Sequence, residues 1–287
     1  MTNEAHSARR YAGQRLALLT QHGKERAIAP VLEAALGCRV ERVDGYDTDR
    51  LGTFTREIPR AGTQLEAARK KARIGMELSG LAFGLASEGS FGPDPMAGMF
   101  PWNVEIIVFI DDEAGLEIVG RAQGAARHAH LLTSDWQAAA DFAREAGFPE
   151  HHLVARPEGE NDPRVQKGIA AWEAFEAAFV RAQALSASGL VFLENDLRAH
   201  ANPTRMARIR EAAVDLAARL ASRCPACGAP GYWIVERIPG LPCAECGAPT
   251  REARAEVWGC VKCGQRETRE RPPTERADPG RCDICNP

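Results

Sequence analysis

This sequence of 287 residues predicts an α/β fold, a mixed open sheet flanked by helices, followed by a small cysteine-rich module. Three observations carry the prediction. Short apolar runs rich in β-branched residues alternate with helical patterns from Leu16 to Ser222. A stretch bearing one carboxylate among glycines, Gly84-Leu85-Ala86-Ser87-Glu88-Gly89-Ser90-Phe91-Gly92-Pro93-Asp94-Pro95, falls between two of those runs. From Arg223 the composition changes abruptly to cysteine pairs, glycine and proline. The expected division is therefore 10–222 for the α/β part and 223–287 for the module.

Composition bounds the reading further. Apolar content of 45% and charged content of 26% are ordinary for a globular chain. A net charge of -3 gives no global positive field toward nucleic acid or an anionic membrane. The opening Met-Thr-Asn-Glu-Ala-His-Ser has no basic-then-apolar signal, and no apolar run nears the ~20 residues of a membrane-spanning helix. A cytoplasmic chain without a membrane partner is expected, and its nine cysteines then point to metal.

In chain order, Leu16 to Thr20 is a buried strand and Gln21 to Lys24 a tight loop. Glu25 to Gly37 has Ile28, Val31, Leu32 and Leu36 at helical spacing, with Pro30 placing the regular start near that residue. Cys38 to Val43 alternates as a strand, and 44–62 is a polar loop or short hairpin. Thr63 with Glu66 forms a capping box for a helix to Ser79 that carries Arg69, Lys70, Lys71 and Arg73. Leu81 to Ala86 reads as a strand ending in the turn at Glu88. Ile106 to Ile110 is the clearest core strand, and Leu116 to Gly120 returns beside it. Asp135 caps a helix to Gly147, Leu153 to Ala155 is a strand, and an amphipathic helix runs from Lys167 to Leu185. Leu190 to Leu193 is a last strand before the helix from Pro203 to Ser222.

Four pairs in C-x-x-C spacing form the most specific signal: Cys224/Cys227, Cys243/Cys246, Cys260/Cys263 and Cys282/Cys285. Each such knuckle offers two thiolates to one tetrahedral ion, so eight thiolates fit two zinc ions in a zinc-ribbon-like module. Sequential pairing, first with second and third with fourth, is preferred; interleaved pairing stays open. Cys38 reads as a buried apolar thiol. Four thiolates leave zinc no open position, so the ions are expected to be structural. Residues 223–287 hold ten basic and nine acidic side chains, and two divalent ions on eight thiolates bring the module to about -3. That balance favours a structural module or one docking on protein, while Arg266, Arg269, Arg271 and Arg276 keep nucleic acid in view.

In the larger part, Thr20-Gln21-His22-Gly23-Lys24 offers a helix N-terminus and a lysine to an anion, or is a solvated turn. Arg198 and Arg205 either clamp a phosphate beside Glu194 and Asp196, which share one face at a strand end, or join those acids in an ion-pair network that locks the last helix to the sheet. Thr20-x-His22-x-Lys24, the loop at Tyr46-Asp47, the helix from Thr63 to Arg73 and Gly84-Leu85-Ala86-Ser87-Glu88-Gly89 together resemble the inosine/xanthosine triphosphate pyrophosphatases over residues 16–110. In that family a Thr-x-Asn-x-x-Lys-like loop grips phosphates and an acidic glycine-rich turn holds Mg²⁺. Here His22 stands for Asn, Lys24 is one position early, one Glu replaces two aspartates, and the cysteine module is additional. The resemblance implies Mg²⁺-dependent hydrolysis of a nucleoside triphosphate. Glu88, Asp111 and Asp196 are then the catalytic candidates, and Thr20, His22, Lys24, Lys70, Arg198 and Arg205 the phosphate ligands. The whole chain also resembles an uncharacterised bacterial family with this architecture, which implies no activity. A non-catalytic zinc-bearing regulator or adaptor is the alternative.

Overall fold

Leu16, Ala17, Leu18 and Leu19 are all buried, so the first strand shows a continuous apolar run rather than an alternation, as a strand covered on both faces must. The structure is a computed structural model and describes residues 10–48 and 62–287. Residues 49–61, most of the expected polar loop or hairpin, lie outside the described residues.

Strand β1 (Arg15–Leu19) is followed by helix α1 (Glu25–Leu36), β2 (Arg39–Val43), α2 (Gln64–Ser79), β3 (Phe83–Pro93), β4 (Pro101–Asp111) and β5 (Leu116–Ala125). The five strands form the mixed open sheet, in the order β2-β1-β3-β4-β5. β1 runs parallel to β2 and β3, while β4 and β5 return antiparallel. Helix α2 covers one face, through Ala68, Ala72 and Met76 against Ala86, Ile106 and Val108. Helix α1 and the long helix α5 (Pro203–Ala221) cover the other, over Leu16, Leu18, Leu85, Ile107 and Phe109.

Three local expectations are corrected here. α1 begins at Glu25, with Pro30 inside it; the rest of the turn and the apolar stripe Ala27, Ile28, Leu32, Leu36 outweigh the one missing N–H. β3 continues through Glu88 to Pro93, because β4 pairs with it along its whole length, so Glu88 sits within a strand and the turn comes only after Pro93. Lys167 to Ile169 belong to a strand and not to the helix that follows, which starts at Trp172.

A second, separate sheet of four strands follows the mixed one in the chain. Its strands are β6 (His130–Thr133), β7 (Leu153–Pro157), β8 (Gln166–Ile169) and β9 (Val191–Asn195), in the order β6-β9-β7-β8, antiparallel throughout. Helices α3 (Trp136–Glu145) and α4 (Trp172–Leu185) cover one face with Phe175 and Phe179 against Leu153, Ala155 and Leu193. The residues of alternate parity, Arg156 and Glu194, form a buried ion pair of 3.1 Å on the opposite face. β9 leads directly to α5, whose first turn is capped by the Asn202 side chain on Arg205 N–H.

The cysteine segment folds as a meander of β10 (Trp233–Pro239), β11 (Ala253–Gly259) and β12 (Arg266–Glu270). It is tied to the end of α5 by Gly231 N–H donating to Arg219 O (3.1 Å), and the Arg219 guanidinium lies over Trp233. Among the described residues no helix is long and apolar enough to cross a membrane.

Candidate functional site

β1 stops at Leu19 while its parallel neighbour β3 runs on, so from Ser87 onward β3 offers backbone groups that β1 does not reach. Side chains take those positions. Lys24 Nζ reaches across to Ser87 O (3.3 Å), and Gln64 Nε2 donates to Glu88 O (2.7 Å) and Val104 O (2.9 Å). This is the carboxyl end of parallel strands, where open α/β sheets bind ligands.

Five charged side chains are buried there. Glu88 points toward α2 and accepts Lys71 Nζ at 2.5 Å. On the opposite face, Glu105 of β4 lies in register with Gly89 and accepts Arg205 Nε at 2.8 Å. Arg205 also donates through Nη1 to Leu197 O (2.5 Å), fixing the start of α5 to the exit of β9. Lys24 stands at the strand tips between the two pairs. Burial first, and the Arg205 charge second, bring its ammonium down to about 8, against the pull of Glu88 in the other direction. Among the described residues, Glu105 Oε2, Ser87 Oγ and Asn103 Oδ1 are buried without a hydrogen-bond partner.

Gly89 is required by this packing. A Cβ at that position would lie 2.6 Å from Arg205 Nη2 and press on the Glu105 carboxylate. Gly89→Ala is therefore expected to destabilise the chain by about 1–3 kcal/mol, as overpacking does, read as a lower urea midpoint. An unchanged midpoint would mean that the pair is free to move aside.

Of the residues chosen from sequence, the structure brings Glu88, Lys24 and Arg205 together, and places Thr20, buried, on the same loop. It separates the others. Lys70 faces solvent; the buried stripe Ala67, Ala68, Lys71, Ala72, Gly75 of α2 turns Lys71 inward instead. Asp111 pairs in register with Phe83, five residues and roughly 17 Å down the strand from Glu88. There it accepts Arg10 Nη2 (2.7 Å) and Tyr11 OH (3.1 Å), anchoring the start of the described chain. Asp196 lies beyond β9 and accepts Arg198 Nη2 (2.6 Å) and Gly168 N–H (3.1 Å), so that pair is a local tie of the second sheet. His22 turns away to an outer cleft between α1 and α5, stacked on His200 at 5.1 Å between ring centres. Sequence reasoning left out Glu105, whose signal is a lone acid at the head of an apolar run.

The cysteines gather in two tetrads, Cys224/Cys227/Cys260/Cys263 and Cys243/Cys246/Cys282/Cys285, each of which could hold a metal ion. The pairing is interleaved, which corrects the sequential preference. In an antiparallel meander successive turns lie at opposite ends, and β10 at seven residues separates them by about 20 Å or more. The first and third knuckles therefore meet at one end and the second and fourth at the other. Opposed Sγ atoms lie 3.7 Å apart in the first tetrad (Cys224–Cys263, Cys227–Cys260) and 3.9 and 3.6 Å in the second (Cys243–Cys285, Cys246–Cys282). Gly228, Gly247 and Gly264 all adopt left-handed φ, the turn that directs backbone N–H groups such as that of Lys262 to Cys260 Sγ (3.4 Å).

A resident Mg²⁺ does not fit the α/β site. Among the described residues, the two cysteine tetrads are the only groups of three or more His, Cys, Asp or Glu with ligand atoms close enough to share an ion. Glu88 is already paired with Lys71, and three buried cations would repel a dication.

Among comparisons with known proteins, the family described as "Domain of unknown function (DUF6671)" matches residues 71–287. No curated protein matches the chain. The resemblance of residues 16–110 to inosine/xanthosine triphosphate pyrophosphatases is not confirmed by these comparisons.

Proposed function

The chain belongs to the DUF6671 family, and from the charges buried in its α/β part we propose that it binds a nucleoside triphosphate or similar phosphoanhydride at the tips of β1 and β3 and hydrolyses it. The observation that carries this reading is a cluster of buried cations at the strand tips: among the described residues, Lys24, Lys71 and Arg205 are buried beside two carboxylates, Glu88 and Glu105. Burying an ion costs several kcal/mol even after relaxation, and an unbalanced cation has no partner to offset it. An arriving phosphate supplies that partner. Charge that builds on the leaving phosphate during hydrolysis is then met by three fixed cations in a dry setting. Glu88, held in place by Lys71, is the carboxylate at hand to orient water. Any Mg²⁺ enters with the phosphate chain.

The test is release of phosphate and pyrophosphate over a nucleotide panel, with and without Mg²⁺. Wild type is expected to turn over at least one nucleotide, and Glu88→Gln and Lys24→Met to lose roughly 10²-fold or more. Equal turnover by wild type and both variants would remove the site from the reaction. One observation favours a second reading: the Glu88 carboxylate is buried against Lys71. In that version the chain is a non-catalytic regulator that binds the anion without turnover, and binding persists while no phosphate is released.

Lys24 also gives a pH signature. Its folded value of about 8 lies below the ordinary 10.5, so between those values the unfolded chain holds more protons. Stability is then lowest below pH 8 and rises toward pH 10.5. The rise is expected in the difference between wild type and Lys24→Met in urea unfolding; a difference flat with pH would contradict the burial of a charged amine.

We further propose that both tetrads hold Zn²⁺ in structural roles. Zn–S bonds of about 2.3 Å put the corners of a tetrahedron about 3.8 Å apart, close to the spacing of the opposed sulfurs, and four soft thiolates select zinc. The bound ions would pin the two ends of the meander and leave no open position for chemistry. Elemental analysis is expected to give about two zinc ions per chain; fewer than one in a folded protein would overturn the assignment.

A further inference from the structure

The loop after β1 sends its side chains to two different places. Lys24 turns inward to Ser87 O, while His22 holds a left-handed φ of 66° and carries its ring to the outer cleft between α1 and α5. That backbone conformation costs a histidine energy that glycine would not spend, so the surrounding structure holds the ring where it is. The cleft has a volume of about 730 Å³, and in it the His22 and His200 rings lie with their planes 27° apart. Part of its wall is apolar: Pro203, Met206 and Ala207 recur at helical spacing along α5, with Ala27 on α1. A concave site of this size, mostly apolar with a few polar groups, suits a small organic ligand.

The charged residues of the wall are Arg26, Arg42, Arg210 and Glu25. Arg42 meets Asp44 at 2.9 Å and Glu25 at 3.9 Å, so one arginine takes both carboxylates. Among the described residues, neither Arg26 nor Arg210 has a side-chain ion pair or hydrogen bond. Three arginines against Glu25 and Asp44 leave the group at +1, and the arginines without a partner are the two that line the cleft from α1 and α5. One acceptor is also open: Glu25 Oε2 is buried with no hydrogen-bond donor. A buried acceptor in that state calls for a donor from outside the chain.

We infer that the cleft binds a nucleoside monophosphate, its phosphate met by Arg26 and Arg210, its base by the imidazoles and the apolar stripe, and a sugar hydroxyl by Glu25 Oε2. A phosphate monoester carries close to two negative charges at neutral pH, about one for each open guanidinium, where a carboxylate brings one. Its oxygens also match the guanidinium fork. The flat face of a base packs on imidazole and on the soft thioether of Met206. Lys24 does not line this cleft, so the inference stands apart from phosphoanhydride binding at the strand tips.

The test titrates the full chain with the four common nucleoside monophosphates, the matching nucleosides and inorganic phosphate, following the ring resonances of His22 and His200. At least one monophosphate is expected to shift both rings saturably. Its nucleoside and inorganic phosphate should each bind more weakly by roughly tenfold or more, since each makes only part of the contacts. Arg26→Gln and Arg210→Gln should each weaken the monophosphate by a similar factor. Both side chains are exposed, so the variants should keep the helicity and urea midpoint of wild type. No shift with any monophosphate, phosphate alone binding as well as the nucleotide, or an affinity unchanged in both arginine variants would each overturn the proposal. Binding lost in Lys24→Met and kept in the arginine variants would overturn it too, by moving the ligand to the strand tips.

Discussion

Lys71→Met is expected to lower the stability of the chain by about 3–5 kcal/mol, among the largest single-residue effects available in the α/β part. The reason lies in what it leaves behind. Glu88 is buried and accepts Lys71 Nζ at 2.5 Å, so the substitution takes from a carboxylate in a dry setting the cation bonded to it. Removing both charges is milder: Lys71→Met with Glu88→Gln should recover most of the loss, because a neutral pair needs no compensating cation. Urea unfolding of the single and the double variant decides it. A single variant as stable as wild type would mean that water reaches Glu88 in the folded chain, and the site would then be an open one.

The second large effect concerns the cysteines, and it separates the interleaved arrangement from the sequential one. Cys224→Ser with Cys260→Ser removes two ligands from one tetrad, and about one ion per chain should remain. Cys224→Ser with Cys243→Ser takes one ligand from each, and both ions should be lost or weakly held. Sequential pairing reverses the two outcomes. The variants differ by one position only, so a general loss of folding cannot imitate the pattern. Because each tetrad lies at one end of the same three-stranded meander, a retained ion is expected to hold only its own end against proteolysis.

How far the sequence reached follows from the kind of signal each feature carries. Helix α2 was legible to its ends, since Thr63 and Glu66 make a capping box and the chain leaves the helix at Gly80. The eight cysteines that gather in the tetrads were legible as candidate ligands because metal chemistry fixes both residue type and spacing. Their pairing was not, as it depends on which ends of a meander coincide, a property of strand topology that local spacing does not encode. The length of β3 was missed for a related reason. Glu88, Gly89, Ser90 and Gly92 look like a turn, yet β4 pairs with them one by one, and tertiary pairing overrides local preference. The choice of Lys70 over Lys71 failed on helical phase. One position is 100° of rotation, and only the buried stripe through Ala67, Ala68 and Ala72 says which lysine faces inward. Glu105 was hidden because its partner, Arg205, is 100 residues away.

The central claim is that an anion completes the charge balance around Lys24, and calorimetric titration in buffers of different ionisation enthalpy tests it most directly. At pH 8 Lys24 is close to half protonated, so a non-hydrolysable nucleoside triphosphate analogue bound beside it should draw up to about half a proton from the buffer. The uptake should vanish in Lys24→Met. Binding without proton uptake, or no binding at all, would contradict the account.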